Sequence, residues 1–292
     1  MDLPKFVPKS APIELVDSGC YNATNRLRIR TDIMAKNKPC LQSKVGFLLL
    51  LFLGMVNLCR TSTAQNGISF TDQIQNYRTQ LEVNPNQVEI RLALARTYLL
   101  LEAFEQAMVE YQRIIEIDPK RGDGYFGLGL SLAGQEEFEK SISVYKNAID
   151  ISPDLPQYHA ALGSSYAQLY RYDQAESAYQ TAIDINDGEA MFHHRLGVVY
   201  ANQGKRDEAV SQQKRAIAIQ SQLPQAHHQL GMLYGQQNLW DKAISAYLIA
   251  LKQNPELVES SYNLAQAYFR QGKMEKAQQQ MTQYQNLKSQ ID

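Results

Sequence analysis

All five histidines of the 292-residue chain fall at matching places along it. They are His159, the pair His193 and His194, and the pair His227 and His228. His193 and His227 are 34 residues apart, and so are His194 and His228. Imidazole is a common zinc ligand and titrates near neutral pH. The histidines therefore suggest either a metal site or a pH-sensitive surface, if the fold brings them together.

The same spacing runs through residues 88–289 and defines the elements that carry the histidines. The units begin at residues 88, 122, 156, 190, 224 and 258. A fixed period of this size is typical of an array of stacked helices. The seventh residue of each unit is leucine: Leu94, Leu128, Leu162, Leu196, Leu230 and Leu264. The eighth is small: Ala95, Gly129, Gly163, Gly197, Gly231 and Ala265.

Each unit is predicted to form two antiparallel helices. Positions 4, 7 and 11 recur at helical spacing and form one apolar stripe. Positions 20, 24 and 27, such as Ala175, Tyr179 and Ala182, form a second stripe on the second helix. Small residues at positions 8 and 20 allow the two helix axes to approach closely. Proline at position 32, as at Pro119 and Pro153, ends the second helix.

This pattern resembles the tetratricopeptide repeat family. The resemblance implies an all-α fold, a right-handed superhelical solenoid of stacked antiparallel helix pairs. It divides the region into six repeats with mild departures: Gln213 and Met281 replace an aromatic residue at position 24, and Arg206 replaces one at position 17. The expected repeats are 88–121, 122–155, 156–189, 190–223, 224–257 and 258–289, the last with a C-terminal capping helix that extends to residue 291.

Residues 34–64 have the three parts of a secretory signal peptide. Lysines, including Lys44, precede an apolar segment at residues 45–58, and Ser62-Thr63-Ala64 supplies small residues. We expect cleavage after Ala64 and an exported protein, periplasmic or lumenal. The alternative is an uncleaved segment 45–58 that anchors the chain to a membrane.

The segments on either side of this signal have less pattern. Residues 1–33 are irregular and are interpreted as a start-site artefact or an N-terminal extension. Residues 65–87 are predicted to form a linker and a capping helix, with Thr71 as its N-cap.

Composition excludes several classes of function from the repeat region. Cys20, Cys40 and Cys59 all precede residue 65, so no thiolate is available there to bind metal. The formal net charge is −1 and no basic block is present, which argues against nucleic acid. No phosphate loop or catalytic triad pattern is found. We expect no enzymatic activity, no cofactor and no small-molecule substrate.

The resemblance also implies a binding surface, because first helices line the concave side in this family. The groove should be largely apolar and suit an amphipathic helix or an extended peptide. Leu92 and Arg96 stand where the family's two-carboxylate clamp has lysine and asparagine, so that clamp is absent. An alternative is that the superhelix closes on itself and fills the groove. The predicted groove residues are Leu92, Arg96, Leu99, Phe126, Leu130, His194, Val198, His228, Met232, Tyr262, Gln266 and Phe269.

The sequence therefore favours a non-catalytic scaffold that binds a peptide or helix of a partner in assembly of an envelope or lumenal complex. The alternative is a metal-binding or metal-delivery protein that uses the five histidines, with His194 and His228 as candidate ligands. Against it, position 4 is a packing site at which imidazole can replace an aromatic ring.

Overall fold

The computed structural model describes residues 69–290, which form thirteen α-helices and no strand. The expectations for residues 1–33, for the signal peptide at 34–64 and for the three cysteines lie outside the described residues. None of the helices within residues 69–290 is long and apolar enough to cross a membrane.

A single helix, α1 (Phe70–Val83), precedes six helix pairs. Ser69, and not the predicted Thr71, is its N-cap: the Oγ of Ser69 accepts from the backbone N–H of Thr71 at 3.1 Å. The pairs are α2 (Val88–Leu100) and α3 (Phe104–Ile117), α4 (Gly122–Gly134) and α5 (Phe138–Ile151), α6 (Pro156–Gln168) and α7 (Tyr172–Ile185), α8 (Ala190–Asn202) and α9 (Arg206–Ile219), α10 (Pro224–Gln236) and α11 (Trp240–Gln253), and α12 (Val258–Arg270) and α13 (Met274–Lys288).

Each helix packs against the next helix in the chain. The even-numbered first helices from α2 to α12 also contact the first helices of neighbouring pairs, whereas the second helices of neighbouring pairs make at most slight contact. The first helices therefore lie on the shorter, inner side of the array. This arrangement is the predicted all-α solenoid of stacked helix pairs. We call the side formed by the first helices the inner face and the side formed by the second helices the outer face.

Tyrosine rings at position 24 fill the space between the helices. Tyr111 and Tyr145 are almost completely buried. A Cβ atom added to Gly127 would lie 2.1 Å from Cε1 of Tyr111, and one added to Gly129 would lie 2.4 Å from Cε1 of Tyr145. These glycines are thus required by the close approach of a ring to the helix backbone, since interiors are packed too densely to accept the extra atom.

Every turn within a pair uses a left-handed residue at position 15. The residues are Glu102, Glu136, Tyr170, Gly204, Asn238 and Gly272, with φ between 54° and 77°. A backbone bond closes each turn, as where the N–H of Glu137 donates to the carbonyl of Leu132 at 2.9 Å. Glycine takes this conformation at little cost, whereas other residues lose about 1–2 kcal/mol.

Polar side chains of the turns bind the preceding pair. The amide of Gln135 donates to Glu105 at 2.8 Å. Two repeats later, the amide of Gln203 donates to Asp173 at the same distance. Lys205 adds an ion pair with Glu176 at 2.7 Å, and this bond lowers the pKa of the Glu176 carboxyl. Because these contacts are exposed or half-exposed, solvent screens them and each contributes little to stability. They link each turn to the pair before it.

The ring-to-glycine contact gives a stability prediction. Gly127→Ala should destabilise the fold by about 1–3 kcal/mol, because the new methyl group overlaps the Tyr111 ring. The matched control is Gly235→Ala, also within a helix, where the added Cβ would lie 3.6 Å from Trp240. This change should stabilise the helix by about 0.5–1 kcal/mol. Urea unfolding followed by circular dichroism measures both, and equal effects would contradict the packing described here.

Candidate functional site

The inner face does not expose all the residues that the sequence assigned to it. Five are buried: Leu92, Leu99, Phe126, Leu130 and His194. These side chains form contacts within the array and are not exposed on the inner face. The Phe126 ring stacks on Tyr158 of the next first helix, with centroids 4.6 Å apart. Position 5 is covered by the following pair, which the sequence pattern alone did not indicate.

The inner face opens toward its C-terminal end. Val198, His228 and Met232 are half-buried, whereas Tyr262, Gln266 and Phe269 are exposed. Within the described residues no first helix follows α12, so its positions 5, 9 and 12 have no neighbouring pair over them. Arg96, at the other end, is also exposed. We call the six C-terminal residues, Val198, His228, Met232, Tyr262, Gln266 and Phe269, the C-terminal inner surface.

Two aromatic rings dominate this surface. Tyr262 is 38% exposed and Phe269 is 39% exposed. They lie seven residues apart, about two helical turns, and thus on one side of α12 with Gln266 between them. The ring of Tyr262 lies 5.2 Å from that of Tyr284 on α13, which supports it from one side. The result is an apolar face with a polar amide at its centre.

His194 belongs to a buried polar pair. Its Nδ1 donates to Oε1 of Gln213 at 2.8 Å, and Nε2 of Gln213 donates to the backbone carbonyl of His194 at 3.0 Å. Gln213 is the residue that replaces tyrosine at position 24, and it is fully buried. Its Nε2 would lie 2.5 Å from a Cβ added to Gly197, so the amide occupies the place that a ring takes in other pairs.

Burial, together with the positive charge of Arg195, lowers the pKa of His194 to about 4. Burial also lowers the pKa of His228 to about 4. Nδ1 of His228 and the hydroxyl of Ser260 form a hydrogen bond of 2.7 Å. Both imidazoles are therefore neutral at pH 7 and serve as hydrogen-bonding parts of the packed interface.

His193 and His159 each lie in the first turn of a first helix. The Nε2 of His193 lies 3.0 Å from Oδ1 of Asp187, and that carboxylate also accepts from Arg215. The Nε2 of His159 lies 2.8 Å from the carbonyl of Pro153. Among residues 69–290, no group of three or more His, Cys, Asp or Glu side chains could hold a metal ion. The alternative of a histidine metal site gains no support from this geometry.

The sequence could have indicated the hydrogen-bonded pair of His194 and Gln213, but not the exposure of the C-terminal inner surface. Gln213 breaks the position-24 pattern, and His194 lies 19 residues before it, at the spacing that joins the two helices of one repeat. The exposure of α12, by contrast, depends on which helices lie beside it, which no residue within α12 records.

Family comparisons agree with this architecture. Three sequence models of the tetratricopeptide repeat match the chain, the first at residues 160–224 and 228–285, the second at 132–169 and the third at 88–121. The chain therefore contains tetratricopeptide repeats and has the all-α solenoid fold of such repeats. No curated protein sequence matches it.

Solved structures show the same fold at low sequence identity. A chain of the APC/C hetero-tetramer Cut9-Hcn1 has a TM-score of 0.66 and 16% identity over 84% of this chain, which spans only 52% of that chain. PilW, a type IV pilus biogenesis factor, has a TM-score of 0.64 and 18% identity, covering 70% of this chain and 98% of its own. PilF of Pseudomonas aeruginosa has a TM-score of 0.61 and 16% identity, with 70% and 97% covered.

The buried histidines give a pH prediction. As the pH falls below about 6.5, histidines of the unfolded chain take up protons, whereas His194 in the fold stays neutral down to about pH 4. The unfolded state then binds more protons, so stability should fall across this window, by up to roughly 3 kcal/mol for His194. Urea unfolding at pH 7.5, 6.0 and 5.0 measures the slope.

His194→Asn should reduce this slope and leave the part that is due to His228. His159→Gln is the matched control, because His159 is half-exposed and bonds only to the carbonyl of Pro153. A slope that is the same in the wild type and in His194→Asn would show that His194 does not carry the pH dependence.

Proposed function

We propose that the chain is a non-catalytic scaffold that binds a peptide or helix of a partner protein on the C-terminal inner surface. Tetratricopeptide repeat proteins are typically protein-interaction scaffolds. The observation that carries the proposal is the pair of exposed rings, Tyr262 and Phe269, on one side of α12. Exposed apolar patches on a folded surface usually mark a place of interaction.

The chemistry of the surface favours an amphipathic segment. Val198 on α8 and Met232 on α10 are half-buried apolar side chains of the same surface, and the amide of Gln266 offers both a donor and an acceptor. A helix laid along a groove of this kind binds through apolar side chains three, four and seven residues apart. Tyrosine is a frequent anchor of such contacts, because its ring packs and its hydroxyl bonds.

The first half of the inner face is less suited to binding. Phe126 and Tyr158 stack on each other there, and Leu130 is buried beside them. A partner would have to displace these packed side chains before it could bind. The proposal therefore places the site on the last three pairs and not along the whole groove.

The cellular setting is part of the proposal. The expected signal peptide at residues 34–64 would export the chain to a periplasm or similar lumen. The structural neighbour PilW is a pilus biogenesis factor, which agrees in setting with a role in assembly of an envelope or lumenal complex. The six-repeat division of residues 88–289 also remains a prediction.

The surface is tested by Tyr262→Ser combined with Phe269→Ser. Loss of two aromatic anchors should reduce partner recovery by at least tenfold, since such residues contribute on the order of 2 kcal/mol each or more. The measurement is affinity capture from the native host with quantitative mass spectrometry. Val109→Ser is the matched control, because Val109 is 60% exposed on α3.

Circular dichroism should show unchanged helix content in all three proteins. A partner that is recovered equally with the wild type and the double variant would place the binding site elsewhere. A partner lost from the Val109→Ser control as well would show a general loss of solubility or fold.

A further inference from the structure

A second groove lies on the outer face, between the fourth and fifth helix pairs. It has a volume of about 470 Å³ and opens between the second helices α9 and α11, with the first helix α10 beneath. Leu230 and Ala246, both buried, form its floor. Ile217, Tyr234 and Ile249 form its walls. A groove of this size is within the range of about 300–1,000 Å³ that ligand sites occupy.

The groove coincides with a break in the repeat pattern. Leu248 and Ile249 stand at positions 25 and 26 of the fifth unit and are 46% and 42% exposed. A packed solenoid does not need apolar side chains at these places, since the other five units all carry polar pairs. Those pairs are Gln112 and Arg113, Lys146 and Asn147, Gln180 and Thr181, Lys214 and Arg215, and Thr282 and Gln283.

Two lysines stand at the rim of the groove. Within residues 69–290, Lys214 and Lys242 have no ion pair with a carboxylate, although Nζ of Lys242 lies 5.7 Å from the centroid of the Tyr234 ring. Asp241 accepts a hydrogen bond from Gln271 at 2.7 Å. His227, half-buried at the groove, has its pKa lowered by burial and is neutral at pH 7. The net charge at the rim is therefore positive.

We propose that this groove is a second protein-binding surface, which takes a partner segment that combines large apolar side chains with nearby carboxylates. The apolar side chains would lie on Leu230, Ala246 and Ile249, and the carboxylates would pair with Lys214 and Lys242. Because the groove lies on the outer face, a partner there and a partner on the C-terminal inner surface can bind at the same time. The chain then joins two proteins.

The chemistry of the rim selects this occupant. A basic segment would bring like charges against both lysines, which costs affinity and slows association. A purely apolar segment would leave the two ammonium groups unpaired at the edge of a desolvated contact. An acidic, apolar segment satisfies both parts of the groove. Ser245, which also lines the groove, offers a hydroxyl for one more bond.

The test begins with selection of random 12-residue peptides displayed on phage against the full chain. Parallel selections use Lys214→Glu combined with Lys242→Glu, and Tyr262→Ser combined with Phe269→Ser. The wild type and the inner-surface variant should both select peptides rich in Asp or Glu beside Leu, Ile or Phe. The lysine variant should not. The same comparison separates the two sites, because failure of the inner-surface proposal leaves this pool unchanged.

A synthetic fluorescein-labelled peptide from that pool is then titrated by fluorescence anisotropy. Affinity should fall at least tenfold for the lysine variant and severalfold for Ile249→Thr, which introduces the residue found at this place in the third unit as Thr181. Lys252→Glu, on the same helix outside the groove, is the matched control and should bind like the wild type. Added NaCl should weaken binding, because salt screens the exposed ion pairs.

Three results would overturn the proposal. The first is a selected pool that is basic or uncharged, or no pool at all. The second is an acidic pool that binds the lysine variant as well as the wild type. The third is a dimer in sedimentation that Ile249→Thr dissociates, since the occupant would then be a second copy of this chain.

Discussion

The array is held together where a position-24 side chain packs directly against a glycine of a neighbouring helix. Tyr111 fits against Gly127 and Tyr145 fits against Gly129, at distances that leave no room for a methyl group. Because the rings take up this space, neighbouring helices lie close enough for position 5 to be covered by the next pair. Phe126 is consequently part of the packing and not of a binding surface. On α12, over which no further first helix lies among the described residues, the position-5 residue Tyr262 is exposed.

In the fourth pair, the space beside the glycine is filled by an amide and not by an aromatic ring. Gln213 stands where the ring is expected, and its amide closes two hydrogen bonds with His194 in a fully buried setting. Such a pair is stable because both polar groups are satisfied, and it would cost free energy if either were left unpaired. The interface therefore depends on a neutral imidazole. The histidines that first suggested metal chemistry act mainly as parts of the packing between helices.

The period predicted the fold because each unit repeats the small and apolar residues that two packed helices need. The turns were harder to predict from the sequence, because Glu136 and Tyr170 occupy the left-handed region although they are not glycine. Backbone hydrogen bonds of the turn hold them in this conformation. The sequence pattern does not indicate the burial of Phe126, because burial at position 5 depends on the neighbouring pair and not on the residue itself. The outer groove is marked in the sequence by the apolar pair Leu248 and Ile249. Only the structure shows that both are exposed and that Ile249 lines a groove.

The central claim is that a partner protein binds the inner face near α12. Photo-crosslinking from a benzoylphenylalanine placed at Gln266, compared with one at Val109, tests it most directly, since both positions are exposed and neither is needed for packing. In the native host, the claim predicts a discrete crosslinked species from position 266 and none of the same mass from position 109. A species that forms only from position 109, or equally from both, would contradict it.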